Sequence, residues 1–121
     1  MMEEKMEDRN KIKTELIVVI VEKDMSGEVI DAAKQGGADG ATVMYGRGSG
    51  IHENARFFGI TIEPEKEIVL ILVDAAIRNA VLCSIQKKIE IDRPGMGIAF
   101  VLDVAKVIGS PHLNLMSDIT D

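Results

Sequence analysis

The stretch Arg93-Pro94-Gly95-Met96-Gly97-Ile98-Ala99-Phe100-Val101 runs a glycine-spaced turn straight into an apolar strand. A second turn of the same kind, Gly46-Arg47-Gly48-Ser49-Gly50, follows an earlier β-branched stretch. Glycine has no Cβ, so backbone N–H groups in such turns face outward and meet a ligand at close range. Two of them joined by folding would line one anion-binding cleft. A tight connection needing positive φ is the other reading of each turn taken alone.

Working outward from these turns, the apolar runs fall into strands and helices. Leu16 to Val21 is β-branched and bounded by charge, the pattern of a strand buried on both faces or central in a sheet. Ser26 is placed to cap a helix, and Glu28 favours the positive end of its dipole. Val29, Ala32 and Ala33 form that helix's apolar face, Gly36-Gly37 ends it, and Gly40 to Tyr45 reads as the second strand. Residues 49–67 form a long hairpin connection in which Phe57 to Ile62 extends a strand and Pro64 interrupts it. Ile68 to Val73 is the third strand. Asp74 caps a second helix carrying Ile77, Val81 and Ile85, and Ile98 to Val104 is the fourth strand.

The order βαββαβ predicts an α+β, ferredoxin-like sandwich, an antiparallel sheet with two helices on one face. Its domain spans 14–109, between a charged N-terminal tail (1–13) and a C-terminal tail (110–121). These strands are too apolar to leave the second sheet face wet, and no helix remains to cover it. Other copies of the chain are expected there.

The 121 residues fit one domain. A lone cysteine, Cys83, can form neither an internal disulfide nor a Cys-x-x-Cys metal site; beside apolar neighbours on the second helix it is expected to be buried and inert. The net charge of −6 and the scarcity of aromatics, Tyr45, Phe57, Phe58 and Phe100, argue against nucleic acid as a partner. No apolar run reaches membrane-spanning length, and the acidic start is unlike a signal peptide, so a cytoplasmic protein is expected.

Three stretches in the correct order resemble the PII signal-transduction family. Glu28-Val29 through Gly40-Ala41-Thr42-Val43 is similar to the family's first helix and its Gly-x-Thr-Val entry into strand two. Arg47-Gly48-Ser49-Gly50 resembles the base of its T-loop, and Pro94 to Val101 its B-loop and following strand. The resemblance implies a non-enzymatic homotrimer that binds a small anionic ligand between subunits, with an adenine nucleotide as the candidate, and reports nitrogen or carbon status to a target protein. Carried over by motif, the implied ligand-binding residues are Gly40, Thr42, Arg47, Gly48, Gly50, Arg93, Gly95 and Gly97. The implied partner-docking loop carries His52, Arg56, Phe57 and Phe58.

This chain departs from the pattern where typical members hold Asp and Lys in the B-loop, which here are Met96 and Ile98. The arginine pair after the fourth strand is also missing, and the 49–67 loop is short and contains no Tyr for uridylylation. Fewer charge-assisted contacts favour a mono- or diphosphate or a carboxylate over Mg-ATP. Arg93 is also placed to pair with Glu90 or Asp92. Two alternatives stand beside the regulator. A small acylphosphatase-like hydrolase would need an anion cradle after the first strand, but Glu22-Lys23-Asp24-Met25-Ser26-Gly27 has no Arg or Asn there. A trimeric scaffold would need no ligand. His52 with Glu53 offers too few ligands for a metal.

Overall fold

The computed structural model describes residues 13–50, 55–57 and 59–109. Along them run β1 (Thr14–Glu22), α1 (Ser26–Gln35), β2 (Thr42–Arg47), β3 (Ala55–Phe57), β4 (Ile60–Ile62), β5 (Glu65–Asp74), α2 (Ala75–Ile89) and β6 (Gly97–Asp103). β2, β5, β1 and β6 lie side by side in that order, every pair antiparallel, and β3 and β4 form a separate ribbon. The fold is the expected ferredoxin-like α+β sandwich.

Alternation along each strand sends one set of side chains to the helices and the next to the opposite face. Ile17, Val19 and Val21 of β1 and Val69, Ile71 and Val73 of β5 pack against Val29, Ala32 and Ala33 of α1 and Val81, Ile85 and Ile89 of α2. The two helices meet closely because Gly36 has no side chain: a Cβ there would sit 2.6 Å from the Val81 Cα. Ser84 Oγ donates to the Ala32 carbonyl at 2.7 Å across the same contact. At the far end, Arg78 of α2 reaches the buried carboxylate of Glu15 on β1 at 2.6 Å.

The second sheet face is a continuous apolar surface. Strand register aligns Ile68, Ile20 and Ile98 in one row, Leu70, Val18 and Phe100 in the next, and Leu72, Leu16 and Leu102 in a third. In the single chain its outer members are open, from 40 % exposed at Phe100 to 57 % at Ile98.

Several local expectations are corrected. Ser26 does not cap α1; Met25 holds the cap position without a side-chain bond, and the Ser26 N–H instead donates to Glu67 Oε1 of β5 at 2.9 Å. The side chain best placed to satisfy the first turn comes from the neighbouring strand. Gly37, at φ +112°, makes the left-handed turn after α1, and the Ala38 N–H returns to the Ala33 carbonyl at 3.0 Å. Asp74 caps α2 as expected, accepting from the Ala76 N–H at 2.9 Å. Cys83 is exposed, because the stripe through Val81, Ile85 and Ile89 turns it away from the sheet.

The strands are also longer than the apolar runs. β1 starts at Thr14, and β5 starts at Glu65, inside the stretch read as connection. Backbone pairing continues through charged residues such as Lys66 and Glu67, which apolar content alone does not mark. Lys13, assigned to the tail, accepts from the Ala75 N–H at 2.8 Å and so belongs to the fold. The remaining tail residues lie outside the described residues.

Candidate functional site

The register of β2 against β5 carries the hairpin base to one end of the sheet, where Arg47 lies opposite Glu65 and the Gly48 N–H donates to the Pro64 carbonyl at 3.2 Å. β6 begins at the same end, since Gly97 pairs with Val21. The two glycine turns therefore meet. Together they line a cleft of about 550 Å³ whose walls include Arg47, Gly48, Ser49, Gly50, Gly95 and Gly97, with Ile20, Ile68 and Ile98 along its floor.

The glycines in this cleft have different reasons for being glycine. Gly97, at φ +146°, lies so close to β1 that a Cβ would fall 2.4 Å from the Ile20 carbonyl oxygen. Gly95 needs its φ of +82°, though a Cβ there would meet nothing. Gly48 has no left-handed φ, and a methyl added to it would find no neighbour within 4 Å. Its bare backbone leaves room for something outside the chain.

Lys66 is the cleft residue that the apolar runs do not reveal. It is 9 % exposed, lines the cleft, and sits on β5 directly opposite Gly46. Starting β5 at Glu65 puts Lys66 on the same face as Ile68 and Leu70, at the mouth of the two turns. With the strand boundary at Glu65, alternation alone identifies it. Lys66 brings a cationic side chain to the end of the sheet where the glycine turns meet.

At the rim of the cleft, Arg47 Nη2 lies 3.8 Å from Glu65 Oε1, and Lys23 Nζ lies 3.3 Å from Glu65 Oε2. The hydrogen bond from Lys23 to Glu65 and the nearby carboxylate charge hold the Lys23 ammonium above the ordinary lysine range. Glu67 is depressed below the ordinary carboxylate range by the Ser26 hydroxyl first, then by the backbone N–H groups of Asp24 and Ser26. Its carboxylate thus takes up the backbone N–H groups of the turn after β1.

The remaining candidate residues are placed elsewhere. Thr42 begins β2 at its other end, about 17 Å along the strand from Arg47, and Gly40 lies two residues before it. Arg93 Nη1 is 3.0 Å from Glu90 Oε2, its alternative partner, and does not line the cleft. Arg56 and Phe57 belong to β3, which pairs with β4 through Arg56 opposite Thr61 and Phe57 opposite Ile60. His52 and Phe58 lie outside the described residues. Among the described residues no cluster of His, Cys, Asp or Glu could hold a metal ion. No helix in them is long and apolar enough to cross a membrane.

Comparison with known proteins agrees with this geometry. The citrate-bound crystal structure of the Arabidopsis thaliana PII protein superposes with a TM-score of 0.63 at 26 % identity, over 81 % of this chain and 83 % of that one. No curated protein sequence matches. The family model for nitrogen regulatory protein P-II matches residues 14–110, the whole span from the start of β1 past the end of β6. With two glycine turns converging on one end of a ferredoxin-like sheet, the chain belongs to the nitrogen regulatory protein P-II family.

Proposed function

We propose that this protein is a homotrimeric sensor that binds a small anionic metabolite in clefts at its subunit boundaries and signals through the 49–67 connection to a target protein. The observation that carries the reading is the convergence of Arg47, Lys66 and the glycine turns at 48–50 and 95–97 in one cleft. The exposed apolar side chains of the open sheet face, which two further copies would cover, support the trimer. In such an assembly Gly40 and Thr42, distant from the cleft of their own chain, belong to the wall contributed by a neighbour.

The ligand is a mono- or diphosphate, including an adenine nucleotide of that charge, or a carboxylate. Two cations and backbone N–H groups match such a charge better than they match a triphosphate. The related Arabidopsis protein holds citrate, an anion of this class. Nitrogen status, reported from the cytoplasm, is the signal that the family suggests.

Calorimetry on the purified protein with citrate, AMP, ADP and ATP, paired with light scattering, tests the reading. A trimer that binds one of these anions, loses affinity on Arg47→Ala or Lys66→Met, and holds ATP no tighter than ADP is the expected result. A monomer, or a trimer that binds none of them, overturns it, the latter in favour of a ligand-free scaffold.

A further inference from the structure

The helix layer stops short of β6. α2 packs over β1 and β5, where Ile17 and Val19 are fully buried, yet their partners on the same face of β6, Val101 and Ala99, stay half-buried. Ala80, Val81 and Ser84 hold the flank of α2 that meets α1, which leaves Arg78 and Leu82 on the flank toward β6. A shallow apolar groove therefore runs beside α2, with Val101 and Ala99 as its floor and Leu82, itself half-buried, on its wall. It lies on the helix side of the sheet, opposite the apolar face assigned to further copies of the chain.

The chain that leaves β6 is suited to fill this groove. After Asp103 the Val104 N–H donates to the Thr14 carbonyl at 3.2 Å, and Ile108 then stands 84 % exposed beside Gly109, whose φ of +88° permits a reversal of direction. The sequence beyond opens with Ser110-Pro111, a capping serine and a proline suited to a first helical turn. At helical spacing Leu113, Leu115, Met116 and Ile119 share one side, and Asn114, Ser117, Asp118 and Asp121 share the other. A helix over 110–121 is about 18 Å long, close to the roughly 20 Å of β6. We propose that segment 110–121, which lies outside the described residues, folds back along β6 of its own chain as an amphipathic helix and lays its apolar side in the groove between Leu82 and Val101. It straps the final strand and covers apolar surface that α2 leaves open. The strap uses neither glycine turn and does not depend on a bound anion.

Urea unfolding of the full chain tests the contact with Val101→Ser, Met116→Ser and the two combined. Each single substitution should lower the midpoint, and the pair should lower it by clearly less than the sum, because residues in contact are not additive. Chymotrypsin on the folded protein gives a second readout. Cleavage at Leu113, Leu115 or Met116 should be about tenfold faster in Val101→Ser than in the parent, since proteolysis follows the population of the open segment. Leu82→Ser, on the half-buried wall, carries both measurements if Val101→Ser does not fold. Additive midpoint shifts, or cleavage as fast in the parent as in the groove variant, would overturn the proposal. A lower assembly mass of Leu82→Ser in light scattering would also overturn it and assign the groove to a second copy.

Discussion

The carboxylate of Glu67 on β5 accepts a hydrogen bond from the backbone N–H of Ser26 at 2.9 Å, so the first helix is capped across 41 residues of sequence. The strand that builds the cleft's wall also sets the start of α1. The depressed Glu67 carboxyl makes this cap pH-dependent. A group whose folded value lies below its unfolded one contributes stability that is complete above the unfolded value, and that stability is lost as pH falls through the folded value. Glu67→Gln should cost about 1 kcal/mol at pH 7, in the range for loss of a helix cap. Urea unfolding at pH 7 and again well below the ordinary glutamate range should show the gap between variant and parent closing in acid. A gap unchanged with pH would mean that the charge on Glu67 is irrelevant to the cap.

Gly97 and Gly48 should respond in opposite ways to alanine. At Gly97 the added methyl meets the Ile20 carbonyl at 2.4 Å in a left-handed backbone, and a loss of about 2–4 kcal/mol is expected from strain and overpacking together. At Gly48 nothing lies within 4 Å, so Gly48→Ala should change stability by less than about 0.5 kcal/mol. Denaturation midpoints of the two variants give the first comparison, and phosphate titration of Gly48→Ala the second. Weakened anion binding without loss of stability would locate the ligand at that backbone.

Glu65 competes with any bound anion for Arg47, since the two side chains lie 3.8 Å apart and both are largely solvated. Removing the carboxylate charge should free Arg47. Glu65→Gln is therefore expected to tighten anion binding by about twofold, the scale of an exposed ion pair, an effect calorimetry resolves. A weakened affinity would assign Glu65 to the ligand's own binding shell.

Arg78→Ala leaves the Glu15 carboxylate buried without its 2.6 Å partner. Breaking this half-buried pair from one side should cost about 1–3 kcal/mol, and the variant's urea midpoint should fall accordingly. Arg78→Ala combined with Glu15→Leu should recover much of the loss, because neither member then remains as a stranded charge.

The open sheet face should hold the assembly together. Phe100→Asp places a charge in the middle row of that face and should convert a trimer to monomer in light scattering at micromolar concentration. A trimer that survives the substitution would have to be joined elsewhere.

The fold was legible because its strands are nearly uninterrupted β-branched runs and its turns are marked by glycine. The run from Leu16 to Val21 and the cap at Asp74 could be placed from local chemistry alone. What local chemistry could not supply was partnership across the sheet. Ser26 is an ordinary capping residue by its own sequence, and only the pairing of β5 beside it brings Glu67 to the same N–H. Lys66 looks like part of a charged connection until β5 is seen to start at Glu65. The convergence of the glycine turns was inferable as a possibility, and Arg93 was equally inferable as a partner of Glu90, the contact it makes.

The close approach of Gly97 to the Ile20 carbonyl divides the labour along the final turn. Position 97 is welded to the register of the sheet and has almost no freedom to vary. Positions 96 and 98 flank it without such a close approach: Ile98 projects from the strand's open side, and the Met96 N–H donates to the Arg93 carbonyl. A lineage could exchange those two side chains many times while the scaffold that presents them stayed the same. The end of the sheet is thus fixed at one position and open to variation on either side of it.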